Sequence, residues 1–141
     1  MPAGAIPVAV DTNILFSALL RGHTSFAEVL LQSEHSFYVC ESVLVEIFKH
    51  KEKIIRLSQL SEDDVVRLYH TLLRRLHVYR EALISREQWA AAYELCRDVD
   101  ESDTPHVALA MSLDGLLWTG DKRLRNALQA KGFDRFFPTA G

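Results

Sequence analysis

The stretch "LLWTGDKRL" at residues 116–124 decides the fold. Leu116, Leu117, Trp118 and, less strongly, Thr119 favour burial. Gly120 then lets the chain turn, and Asp121 follows at once. Beyond it "DKRLRNALQAKG" has helical spacing and ends at Gly132, a residue suited to closing a helix. The grammar is a short apolar strand, a turn and a helix, with a carboxylate at the joint. An aspartate placed there either caps the helix or holds something.

The same grammar opens the chain. "IPVAV" (6–10) is a short β-branched run ending at Asp11, and "TNILFSALL" puts Ile14, Leu15, Ala18 and Leu19 on one helical face. "TSFAEVLLQ" reads as a second helix and "SFYVC" (36–40) as a strand. An amphipathic helix with a basic outer face is expected over 42–57. Ser61 with Asp64, and Ser85 with Gln88, make capping boxes before "VVRLYHTLLRRL" and "WAAAYELC". "HVY" is a weak strand between those helices. Asp103, with Pro105 two residues on, opens "HVALAMSL", and "RFFP" is a candidate last strand. Strands alternating with helices imply a three-layer α/β/α sandwich around a mainly parallel sheet of about four to five short strands. The nearly all-apolar strands fit a sheet covered on both faces.

With 141 residues, no linker and no repeat, the chain reads as a single domain over 1–141 with room for a real core. Its formal net charge of -3 supplies no overall basic field, so any nucleic acid would need a local basic patch. Cys40 and Cys96 form no CxxC motif and read as buried, reduced thiols. No apolar run approaches a membrane span, and a cytoplasmic location is the expectation. There is no zinc-type cluster, GxGxxG, P-loop or GxSxG. The six histidines show no ligand spacing and read as surface or satisfied core residues.

In an open parallel sheet, ligands bind beyond the carboxyl ends of the strands. Asp11 and Asp121 stand there, and Glu46 lies in the first turns of the helix after "SFYVC", bordering the apolar stripe of Val43, Leu44 and Ile47. Asp103 fits less simply. Its helix runs antiparallel to the strand it leads into, which is expected to leave Asp103 at the opposite edge unless the helix is tilted or its N-terminus belongs to another crossover. Like charges about 4 Å apart cost roughly 4 kcal/mol at an effective dielectric near 20. Three or four converging carboxylates therefore want a counter-charge, and all-oxygen ligands suit Mg²⁺ or Mn²⁺.

"VAVDTNIL", "SVLVEIFKH", "DTPHVALAMSLDG" and "LLWTGDKRL", in this order, resemble the PIN-domain nucleases, and within them the VapC-type toxin ribonucleases. The resemblance spans the chain from first strand to last helix. It implies a PIN-like fold in which Asp11, Glu46, Asp103 and Asp121 form a catalytic acidic quartet holding one or two Mg²⁺ or Mn²⁺ ions. It also brings the N-terminus of the Asp103 helix to the site. It implies a metal-dependent endoribonuclease, with RNA as substrate, often a toxin silenced by a small antitoxin protein, and often a homodimer. Asn13 matches a polar residue supporting the first aspartate, and Thr119 a hydroxyl beside the last acid. The departure is "RDVDESD", where Asp98, Asp100 or Glu101 stands ready to replace or assist Asp103.

In the resulting mechanism Asp11, Asp103 and Asp121 are ligands, and Glu46 is a ligand or the base that holds the attacking water. Lys49, Lys51 and Lys53, with Lys122, Arg123 and Arg125, are the candidates for RNA contact, set against their reading as solvated helix faces. Trp118 and Phe16 read as core rather than as stacking platforms. A receiver-like or phosphatase-like domain fits worse, because the first strand ends in Asp-Thr-Asn with no second acid and "TGD" stands where a receiver needs lysine. The other alternative is a catalytically silent PIN-like module that binds RNA or protein.

Overall fold

Val8, Ala9 and Val10 form β1 (Val8–Val10), and none of the three is exposed. A strand hidden on both faces belongs in the middle of a sheet. β1 accordingly pairs in parallel with β2 (Phe37–Cys40) on one side and β4 (Leu116–Trp118) on the other. β3 (Leu76–Tyr79) adds to β2, also in parallel, giving the order β3-β2-β1-β4. The computed structural model describes residues 6–22 and 25–138. His23 and the expected start of the second helix at Thr24 lie outside them. The candidate fifth strand "RFFP" is reduced to one parallel bridge between Leu117 and Phe136.

Eight helices flank the sheet among the described residues: α1 (Thr12–Arg21), α2 (Ser25–Gln32), α3 (Glu41–Lys49), α4 (Lys51–Leu57), α5 (Glu62–Leu73), α6 (Arg86–Cys96), α7 (Thr104–Ser112) and α8 (Lys122–Ala130). α1 packs with α2, α4 and α5, while α7 lies against β1, β2 and β4 with α6 beside it. The chain is thus α/β with an all-parallel sheet, as the alternating pattern requires. Trp118, fully buried, sits at the centre of an aromatic group with Phe26, Phe37 and Phe137.

Three local expectations need correction. The helix expected over 42–57 is two helices joined at His50 (φ -106°, ψ 14°). Val43, Ile47 and Ile54 are its buried residues, and the turn between carries His50 and Lys51 where a continuous stripe wants an apolar residue. Second, Ser85 does cap α6 by accepting from the Gln88 N–H, but the Gln88 side chain reaches the Met111 carbonyl instead of completing a box. Third, Asp103 is not at the far edge. α7 descends antiparallel to β4, so it begins level with the strands' carboxyl ends and finishes level with their amino ends. No tilt is needed, and the Gly115 and Leu116 amides close that lower end onto Ala110 and Pro7.

Gly115 is needed at this junction. A Cβ there would meet the Pro7 carbonyl oxygen at 2.3 Å, and that oxygen already accepts the Leu116 N–H at 2.9 Å. Gly115→Ala must therefore push β4 away from β1. We expect a loss of roughly 2–3 kcal/mol, the upper part of the range for overpacking, read as a lower urea midpoint. An unchanged midpoint would show that the junction yields freely.

Candidate metal centre

The order β3-β2-β1-β4 places the chain's reversal at β1. From β1 the chain steps out to β2 and β3, then returns to the other side as β4. A crevice opens above the carboxyl ends at such a reversal. Asp11 leaves β1 directly into it. Its carboxylate is buried, accepts the Asn13 backbone N–H at 3.2 Å, and so caps α1. Its other oxygen accepts the Thr119 hydroxyl at 3.0 Å. Thr119 in turn accepts the Asp121 backbone N–H at 3.1 Å. One buried hydroxyl just past β4 therefore fixes both the first acid and the start of the fourth. Asp121 caps α8 through the Leu124 N–H at 3.1 Å.

Replacing this hydroxyl by a methyl breaks both bonds at nearly constant volume. We expect Thr119→Val to cost about 1–3 kcal/mol, because a buried charged acceptor and a backbone N–H each lose a partner. Thr119→Ser should recover most of it. Equal denaturation midpoints for wild type and Thr119→Val would contradict the linkage.

Asp103 is held differently. Asp100 caps a short 3-10 turn at Glu101–Asp103, accepting the Ser102 N–H at 3.0 Å and hydroxyl at 2.6 Å. The Thr104 hydroxyl donates to the Glu101 carbonyl at 2.6 Å, and the Cys40 thiol to the Pro105 carbonyl at 3.4 Å. These contacts seat the start of α7 against the end of β2. The Asp103 side chain makes no capping bond and is nevertheless buried. Burial first, then the charges of Asp11, Asp100 and Asp121, push its carboxyl up to about 7. A cap would be held down, not pushed up.

His106, one turn on, completes the inner cluster. Its Nε2 lies 3.2 Å from the Thr12 hydroxyl and 3.7 Å from Asp11 Oδ1. Its Nδ1 is buried without a partner. Burial holds the ring below the usual imidazole range, against the opposing charges of Asp11 and Glu81. Asp11, Asp103 and His106 each offer a ligand atom, all within 4.8 Å of one another. Reading the histidines one by one missed this. The signal was the spacing Asp-x-x-His, since residues three apart share a helix face and serve as ligand pairs elsewhere.

The remaining candidates fall around this cluster. Glu46 lines the same cleft of about 440 Å³, together with Asp100, Ser42, Asn13 and Phe16. It is half-exposed at the rim, 3.5 Å from His50 Nε2. Asp121 opens on an adjoining pocket of about 270 Å³ that shares Asn13 with the cleft. Of the alternatives to Asp103, Asp98 is exposed and paired with Lys131, and only Asp100 lines the cleft among the described residues. Asn13 supports Asp11 through its backbone, not its side chain. Trp118 is core, whereas Phe16 is half-buried and lines the cleft.

The cleft carries no lysine or arginine in its described lining, so no cation of that lining neutralises the convergent Asp11 and Asp103. Oxygen donors with one imidazole nitrogen, in a crevice short of positive charge, fit a divalent cation. A cysteine nucleophile does not fit. Burial, then Glu81 and Glu41, push the Cys40 thiol up to about 12, and burial first pushes Cys96 up to about 11, so neither is a thiolate near neutrality.

An all-parallel α/β sandwich with a carboxylate crevice at the reversal of its sheet defines the class. Residues 9–134 match the family model of the PIN domain, and the chain belongs to the PIN-domain family, a nuclease-type fold. No curated protein sequence matches it significantly. No single helix among the described residues is long and apolar enough to cross a membrane.

Proposed function

We propose that this protein is a divalent-metal-dependent endoribonuclease that cleaves RNA phosphodiester bonds, acting as the toxin of a toxin–antitoxin pair. The observation that carries the metal-dependent reading is the convergence of Asp11 and Asp103 without a neutralising cation, with Asp103 pushed up to about 7 by burial first and then by its acidic neighbours. When bound, Mg²⁺ or Mn²⁺ (one or two ions) activates water and relieves charge on the phosphoryl oxygens. The protein's part is to hold and orient. Asp11 and Asp103 supply inner oxygens, with Asp11 locked by Thr119 and the Asn13 amide. Asp121, fixed through the same hydroxyl, supplies a carboxylate from the adjoining pocket. Glu46, across the cleft, orients the attacking water or takes its proton, and Asp100 assists Asp103.

Substrate binding falls to the rim. Lys122 and Arg123 are exposed in the first turn of α8, just after Asp121, and the charge of Arg123 reaches Asp100. Lys49 and Lys53 are exposed on the other side, and a further pocket joins Lys53 to Asn13 and Phe16. Phosphates laid between these cations would cross the carboxylates. For a homodimer contact or an antitoxin, the exposed apolar side chains Val45, Phe48 and Leu57 on α3 and α4 are the candidates.

The test is cleavage of a mixed RNA pool by purified protein with Mn²⁺ or Mg²⁺, beside the same reaction in EDTA. Metal-dependent cutting supports the nuclease. RNA binding without cutting, at any metal concentration, would replace it with the silent binding module.

A further inference from the structure

We propose that His106 is a direct ligand of the metal ion through Nε2, giving a mixed carboxylate–imidazole centre that takes Mn²⁺ or another transition ion in preference to Mg²⁺. This rests on the metal-site reading above and adds a nitrogen to it.

The ring is more than nine-tenths buried and points Nε2 at the cluster. Both neutral tautomers leave something unmet. With the proton on Nε2, the ring donates towards Thr12 and Asp11, and the Nδ1 lone pair is buried without a donor. With the proton on Nδ1, that N–H is buried without an acceptor. Nε2 then turns its one lone pair to the side where the Thr12 hydroxyl and Asp11 Oδ1, 3.7 Å away, both lie, and either the hydroxyl proton or a cation can meet it, but not both. Two facing lone pairs repel, and a cation between them makes the same geometry attractive. Only the second tautomer can ligate, and the Thr12 hydroxyl must then turn its proton away from Nε2.

A satisfied core histidine is the plain alternative. Its neighbours Val107, Ala108, Leu109 and Ala110 are apolar and essentially unexposed, but the ring itself lines the carboxylate cleft. A buried ring that turns Nε2 to Asp11 and brings a ligand atom within 4.8 Å of both Asp11 and Asp103 is better matched to a ligand than to packing. Imidazole suits later first-row ions, whereas Mg²⁺ selects oxygen, so His106 should bias the site along the Irving–Williams order.

Electron spin-echo modulation of bound Mn²⁺ reads directly whether a nitrogen is coordinated. We expect ¹⁴N coupling in the wild type, altered by ¹⁵N-histidine labelling, a comparison that needs no variant to fold. The coupling should survive His50→Ala, which removes the imidazole paired with Glu46, and vanish in His106→Phe. Mn²⁺ affinity should fall in His106→Phe by at least the ~10-fold that loss of even an outer-shell partner costs a metal site, and the Mn²⁺:Mg²⁺ affinity ratio should fall with it. Mn²⁺ bound without nitrogen coupling would overturn the proposal and leave the nuclease reading standing. Coupling that survives His106→Phe but is lost in His50→Ala would also overturn it. Failure to bind Mn²⁺ at all would overturn both.

Discussion

Asp103→Asn should abolish metal-dependent cleavage and yet stabilise the metal-free protein above neutral pH. The two effects have one cause. The folded site raises the Asp103 carboxyl from 3.8 to about 7, so the fold favours the protonated form. The stability contributed by that preference is fully present below pH 3.8 and is lost as pH rises through 7. Above 7 the metal-free protein carries a buried, repelled carboxylate. Asparagine keeps the shape and removes the charge. The expected gain at pH 8 is on the order of 2–4 kcal/mol, discounted towards the lower figure because water reaches the cleft. At pH 4 the variant should gain nothing. Cleavage should fall by at least ~10²–10³-fold, the scale for removing one preorganised electrostatic partner from a transition state. Denaturant curves at both pH values, beside single-turnover cleavage, check this. A variant equally destabilised at pH 4 and pH 8 would make Asp103 an ordinary structural residue.

Mn²⁺ should stabilise the wild type strongly at pH 8 and weakly at pH 5.5. The ion and the proton compete for Asp103, so below pH 7 affinity should fall about tenfold per pH unit for the one proton displaced. At 100 times Kd the ion contributes about 2.7 kcal/mol through mass action. Thermal melts with Mn²⁺ against EDTA, across this pH range, give the result. Asp103→Asn should flatten the pH dependence and Asp11→Asn should remove the shift. A melting shift of equal size at both pH values would place the ion away from Asp103.

Most of the architecture was legible because short apolar strands and capped helices obey local rules. The apolar run at Val8–Val10 is a strand covered on both faces, and Asp11, Ser61, Ser85 and Asp121 cap where residue type and spacing say they should. The order of strands was not legible, since nothing local states that β4 returns to the far side of β1. The break at His50 was missed because helix propensity continues through it and only the pattern of burial stops. At the site, Asp11 and Asp121 could be read as caps or as ligands from sequence, and in the structure both cap their helices. Asp103 departs from the rule, because it stands where a cap belongs and makes no capping bond. That failure of the local rule marks it as a candidate functional carboxylate more strongly than its motif does. His106 was hidden because its partner Asp11 lies 95 residues earlier in the chain, and only the folded crossover brings them together.

A metal ion held by Asp11 and Asp103 should contact the phosphate being cut. The most direct measurement is single-turnover cleavage of an RNA with one non-bridging oxygen of the scissile phosphate replaced by sulfur. Mg²⁺ coordinates sulfur poorly, whereas Mn²⁺ and Cd²⁺ accept it. One diastereomer should be cut slowly in Mg²⁺ and recover in Mn²⁺ or Cd²⁺, with no recovery in Asp103→Asn. Cutting of both diastereomers as fast as the all-oxygen RNA in Mg²⁺, or cutting that persists in EDTA, would contradict it.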